Sequence, residues 1–149
     1  MKFDIEAIEK STTNTVDVVV GYWEDEERDD DGKITKEATK VGFKVLGPAS
    51  EEFAQVKREI EIFNVKEAAI RKSVLDLTTD DGAAVIVDGT DKRQQMLIEK
   101  CVVGWFGFTT KGKPAEFSKE NLARVLKASP MWRRRIVNAI DDEAAFIAG

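Results

Sequence analysis

The apolar positions of the chain fall into two spacings. Near the start, Val16-Asp17-Val18-Val19-Val20-Gly21-Tyr22-Trp23 is dense in β-branched and aromatic residues, and Val41-Gly42-Phe43-Lys44-Val45-Leu46 alternates. Both runs predict strands. Between them, Glu24 to Lys33 is charged and holds the turn pair Asp31-Gly32. The expected unit is an N-terminal β-hairpin with a long acidic loop. Two strands alone are marginal in water, so the hairpin must pack on helices or pair with another chain.

Past the break at Gly47-Pro48-Ala49-Ser50 the spacing lengthens. Phe53, Val56, Ile60 and Phe63 recur at helical intervals, continuing toward Ile70 and Val74. This predicts a long amphipathic helix from Ser50 to Leu75, capped by Ser50 with Glu51 and Glu52 in its first turn. Thr79-Asp80-Asp81-Gly82 predicts a turn, and Ala83 to Val87 a short apolar run. Asp91, with Gln94 three residues on, predicts the cap of another helix. Its apolar positions are Leu97, Ile98, Cys101, Val102 and Trp105, and it is expected to end in a Gly104-Trp105 corner. Ser118 caps a third helix bearing Leu122, Val125 and Leu126, and Pro130 opens a fourth. Trp132, Ile136, Ile140, Ala144 and Ile147 share one face of that last helix. The expected fold is α+β, a single domain over residues 1–149. A β-hairpin region would occupy 1–47 and a mainly α-helical body 48–149.

Composition narrows the classes of function. Of 149 residues, 42% are hydrophobic, enough for a core at this length. With 28 acidic and 23 basic residues the net charge is -5, which argues against a nucleic-acid partner. No apolar run reaches the length of a membrane span. The start, Met1-Lys2-Phe3-Asp4-Ile5-Glu6, lacks the apolar segment of a secretory signal. One cysteine, Cys101, cannot form an internal disulfide, which fits a reducing cytoplasm.

There is no histidine. Ser-His-Asp and Cys-His catalysis are thereby removed, as is the commonest transition-metal ligand. Gly104 and Gly107 are separated by aromatics and precede no Lys-Ser/Thr pair, so they form no phosphate loop. Cys101 lies on an apolar helix face and reads as a buried, inert thiol. In the acidic loop, Glu27, Asp29, Asp31 and Gly32 fall on positions 1, 3, 5 and 6 of a calcium-binding loop. Position 12 is Ala38, and strands flank the loop instead of helices. A solvated hairpin tip that discourages edge-to-edge association is the simpler reading. A divalent-metal enzyme would have to rest on Asp29 to Asp31. Turn chemistry accounts for Asp80-Asp81-Gly82 and Asp88-Gly89. No catalytic, metal or cofactor residue is assigned.

Arg133-Arg134-Arg135, with Lys127, is the one basic cluster. Three consecutive helix residues fan around the axis, so they predict a protein contact or a solvated face. The last helix is the candidate partner surface, through Trp132, Ile136, Ile140, Ile147, Arg133 and Arg134. Burial in the chain's own core is the other reading of that apolar face. Trp105, Phe106, Phe108 and Phe117 read as corner-packing residues, with exposed partner anchors as the alternative.

One word order stands out: Val102-Val103-Gly104-Trp105, Gly112-Lys113-Pro114, Phe117-Ser118, then Glu120-Asn121 through Leu126. The segment from Cys101 to Pro130 resembles the tail assembly chaperones of long-tailed, siphophage-like bacteriophages. Gly104, Trp105, Pro114, Phe117 and Ser118 carry the motif. A weaker match runs from Phe43 to Ser50. The resemblance implies a late protein of the host-cell cytoplasm, without cofactor or catalysis. Such a protein coats the phage tape-measure protein, keeps its apolar helices soluble and is displaced as tail-tube protein polymerises. For such a chaperone, self-association or coating of the partner is expected, and the resemblance implies, in many members, a longer frameshifted form. The competing expectation is a structural virion component (neck, tail-terminator or tube-associated subunit) with the hairpin as an assembly arm.

Overall fold

A computed structural model describes residues 4–23, 26–74 and 79–148, with backbone alone at 71–74 and 148. Met1 to Phe3, Glu24 and Leu75, which entered the expectations above, lie outside the described residues. In chain order the elements are α1 (Ile5–Lys10), β1 (Thr15–Tyr22), β2 (Glu27–Arg28), β3 (Ile34–Lys36), β4 (Lys40–Leu46), α2 (Glu51–Val74) and α3 (Asp80–Cys101). They continue with β5 (Val102–Phe106), β6 (Thr109–Thr110), β7 (Lys113–Pro114), α4 (Lys119–Ala128), α5 (Met131–Asp141) and α6 (Glu143–Ala148). The fold is α+β.

The main sheet has three strands in the order β1-β4-β5, all antiparallel. Val18 stands opposite Phe43, and Phe43 opposite Trp105; Val16 stands opposite Val45, and Val45 opposite Val102. Alternation along β1 and β4, with the register shift between Lys44 and Val45 that leaves Val103 of β5 out of step, puts these rows on one face. That face packs against Ile136 and Ile140 of α5 and Phe146 of α6, where Phe43, Val45, Ile136 and Ile140 have no exposed surface. Burying each of these side chains stabilises the fold by about 1.5–3 kcal/mol. Asp17 and Lys44 point to the opposite, solvated face, as an antiparallel sheet permits.

Ser50 caps α2 as expected: its Oγ accepts the Phe53 N–H at 3.1 Å. Phe53, Val56 and Ile60 turn the inner face of α2 toward Met96, Leu97 and Ile98 of α3. The two helices then run out together as a helical hairpin, whose outer half is mostly exposed. There Arg93 of α3 pairs with Glu67 of α2 at 3.0 Å and donates to Asn64.

Three expectations are corrected, and a fourth point is an element not among those expected. Thr79-Asp80-Asp81-Gly82 is no free turn, because Thr79 Oγ1 caps α3 by accepting the Gly82 N–H at 3.1 Å. Asp91 is therefore interior to α3. Its two glycines cost helix propensity, and both are buried. Second, the apolar run does not stay helical to Trp105. It changes at Val102 into β5, where β-branched Val102 and Val103 favour extended backbone. β5 joins β4 in the sheet, so the N-terminal strand pair gains its third strand from the middle of the mainly helical remainder. Third, the last helix breaks at Asp142 into α5 and α6, which puts Ile147 on a different helix from Ile136. Fourth, α1 was not foreseen; Asp4 caps it by accepting the Ala7 N–H at 2.7 Å.

Candidate partner-binding groove

The segment from β5 to α4 is held by its aromatic residues. Trp105 packs on Phe108 at 4.7 Å and edge-on to Phe117 at 5.5 Å, and its indole Nε1–H donates to the Ala115 carbonyl at 3.0 Å. Phe108 and Trp132 each reach Phe43, at 5.1 and 6.1 Å. Gly104 lies in β5, and Pro114 ends the small β6–β7 hairpin. The turn of that hairpin is Lys111-Gly112, both at positive φ, 50° and 77°, as a two-residue turn between right-twisted strands requires. Ser118 Oγ accepts the Asn121 N–H at 3.1 Å, and the Asn121 side-chain amide donates back to the Glu116 carbonyl at 2.9 Å. The Phe-Ser and Glu-Asn pairs thus start α4 and fix its entry angle.

That entry angle forms a groove. Lys119, Leu122, Ala123, Leu126 and Lys127 share one face of α4, and Gln95, Ile98 and Glu99 one face of α3. Between them runs a groove of about 390 Å³, lined also by Arg133 of α5. Its floor is the edge of the core at Ile98, Leu122 and Leu126, each 5% exposed or less. Its rim carries Lys119, Lys127 and Arg133 against a single acid, Glu99, which accepts from Gln95 Nε2 at 2.9 Å. On a chain of net charge -5 this is a locally basic site. Its chemistry suits an apolar segment flanked by acids.

The structure separates the residues expected on the last helix. Ile136 and Ile140 are fully buried in the chain's own core, so they are not available to a partner. Trp132 is half-buried in the aromatic cluster, and Ile147 is half-buried on α6. Arg133 is half-buried at the groove and Arg134 is exposed. Only Arg133 of these six lines the groove. The α4 residues were not singled out because Leu122 and Leu126 have the spacing of a core face, which they also are, at 3% and 5% exposed. The signal was the pair of lysines, Lys119 and Lys127, one on each side of them at eight-residue spacing.

Elsewhere, Asp29 is occupied by turn chemistry, its Oδ1 accepting the N–H groups of Asp31 at 3.0 Å and Lys33 at 2.9 Å. Among the described residues no group of three potential ligands is placed to hold a metal ion, and no helix is long and apolar enough to cross a membrane. No protein-family model, curated protein or solved structure matches the chain.

Proposed function

We propose that this chain is a phage tail assembly chaperone that binds and solubilises the tape-measure protein and helps recruit tail-tube subunits. The groove between α3 and α4 is the site where it takes an acid-flanked amphipathic helix of its client. The observation that carries the reading is that Trp105, Phe117, Ser118 and Asn121, the residues of the resemblance, fix the helix that forms one wall of this groove. A holding function needs apolar surface for side chains and a charged rim for register; the rim is Lys119, Lys127 and Arg133, and the apolar surface is the edge of the core at Ile98, Leu122 and Leu126. Co-expression with the tape-measure protein tests it. The wild-type chain is expected to keep the client soluble, and K127E/R133E to lose most of that capacity while staying folded. An unchanged soluble yield would overturn the assignment of the groove.

A second reading, a structural virion component, is favoured by the β2–β3 ribbon. From Glu26 to Glu37 every residue is exposed, the form of an arm that reaches a neighbouring subunit. Mass spectrometry of purified particles beside the infected-cell lysate separates the two. Abundance in lysate with absence from particles supports the chaperone, and a fixed copy number in particles the structural subunit.

A further inference from the structure

The outer face of α2 carries a second surface, distinct from the groove. Arg58, Ile62, Val65 and Ala69 recur at intervals of four, three and four residues, the spacing of a coiled-coil seam. They lie on the side of α2 away from Phe53, Val56 and Ile60. Ile62 is 49% and Val65 71% exposed, an unusual state for neighbouring β-branched apolar residues. With Arg58, Glu61 and Lys66 they line a shallow trough of about 410 Å³.

We propose that this face pairs with the same face of a second copy of the chain, antiparallel, about a two-fold axis between Ile62 and Val65. The charges select the partner. Glu59 and Lys66 flank the seam on one side, and both are exposed. Neither has an opposite charge three or four residues away on its own helix, so neither is served by the usual helix pairings. The antiparallel register that sets Ile62 on the partner's Val65 also sets Lys66 beside the partner's Glu59, twice by symmetry. It places the long stem of Arg58 over the partner's Ala69, where a small side chain leaves room.

A parallel pairing would bring Arg58 against the partner's Arg58 and crowd the two sheet-bearing ends together. The antiparallel one sends those ends past opposite tips of α2, a helix of 24 residues and about 36 Å. The seam from Arg58 to Ala69 is only about 18 Å long. It buries less than the roughly 1,200 Å² of a standard interface, so the dimer belongs in the micromolar range and weakens with salt. The pairing does not rest on the chaperone reading.

Sedimentation velocity of the full chain, from about 5 to about 200 µM, tests it with E59K, K66E and their equimolar mixture. The wild type is expected to dimerise, and each reversal alone to weaken the dimer about tenfold. The mixture should recover it, because the heterodimer again sets opposite charges together on both sides of the axis. As a second measure, I62C mixed with V65C should cross-link faster than either alone. A wild type that stays monomeric would overturn the proposal. So would a dimer indifferent to E59K, or one that responds to E61K instead, the mark of a parallel seam. Client capture through the groove is read by a different assay, so either idea can fail alone.

Discussion

Phe146 lies with its ring against the backbone of Gly47: a Cβ on the glycine would meet three ring carbons at 2.5, 2.6 and 2.7 Å. The contact joins the last helix to the end of β4, across almost a hundred residues of chain. It fixes α6 over the sheet, and Phe146 itself is 1% exposed. Asn14, at the entry to β1, adds a hydrogen bond from its Nδ2 to the Phe146 carbonyl at 3.1 Å. The C-terminal helix is thus part of the core, which is why its apolar residues are not free for a partner.

Filling the Gly47 site should be costly. Gly47→Ala is expected to destabilise the protein by about 1–3 kcal/mol through overpacking, read from the denaturant midpoint. Phe146→Ala is expected to cost about 3–5 kcal/mol. In the Phe146→Ala background the ring is gone, so Gly47→Ala should become nearly silent. Additive losses in that double-mutant cycle would contradict the contact.

Two other glycines look alike by distance and should behave differently. A Cβ at Gly42 would meet the Val18 carbonyl oxygen at 2.1 Å, and one at Gly89 the Glu67 Oε1 at 2.2 Å. The first obstacle is backbone within a paired strand, and the second is the far end of a side chain, the Glu67 carboxylate that Arg93 holds at 3.0 Å. Gly42→Ala is expected to cost about 2 kcal/mol or more. Gly89→Ala gains about 1 kcal/mol of helix propensity and loses part of the Arg93–Glu67 pair, worth about that much at the edge of solvent. Thermal unfolding should therefore find Gly89→Ala within about 1 kcal/mol of wild type. A large loss there would show that the ion pair holds the helical hairpin together.

Much of this fold was legible in the sequence wherever one local signal acted alone. The alternation around Phe43, the Ser50 and Ser118 caps and the three-four spacing of Phe53, Val56 and Ile60 all point to the elements observed. The failures sit where local and tertiary signals disagree. Val102 continues the helical spacing of Ile98 and Cys101, yet it begins a strand because β4 offers an open edge beside it. Gly82 and Gly89 look like punctuation, yet they are buried within α3. The groove was the least legible part. Its apolar floor has the pattern of any core, and its basic rim comes from two elements, α4 and α5, that meet α3 only in the fold.

The β6–β7 turn can be improved. Lys111 holds φ at 50°, where a side chain with a Cβ is strained, and Gly112 follows at 77°. Asn tolerates this region better than Lys, and Asn-Gly is the favoured pair for such a turn. Lys111→Asn is expected to raise stability by about 0.5 kcal/mol, visible as a small rise in Tm. Lys111→Val should lower it, since branching at Cβ makes the same conformation worse.

Cys101 provides a pH test of the core. It is fully buried at the end of α3. Burial, reinforced by Glu52, pushes its thiol from 9.0 up to about 11. The folded state therefore holds the proton more tightly than the unfolded chain. Below pH 9.0 both states are protonated and the group's contribution is intact. Between pH 9.0 and about 11 only the unfolded chain ionises, so this contribution to stability falls as pH rises through that window. Cys101→Ala carries a constant loss from the cavity but lacks this slope, so the stability gap between wild type and variant should narrow from pH 9 toward pH 11. The same burial predicts that a thiol reagent at pH 8 labels native protein only as fast as it opens, since the thiolate is the reactive species. Rapid labelling under native conditions, or parallel pH profiles for the two proteins, would place Cys101 at a solvent-reachable site instead of in the core.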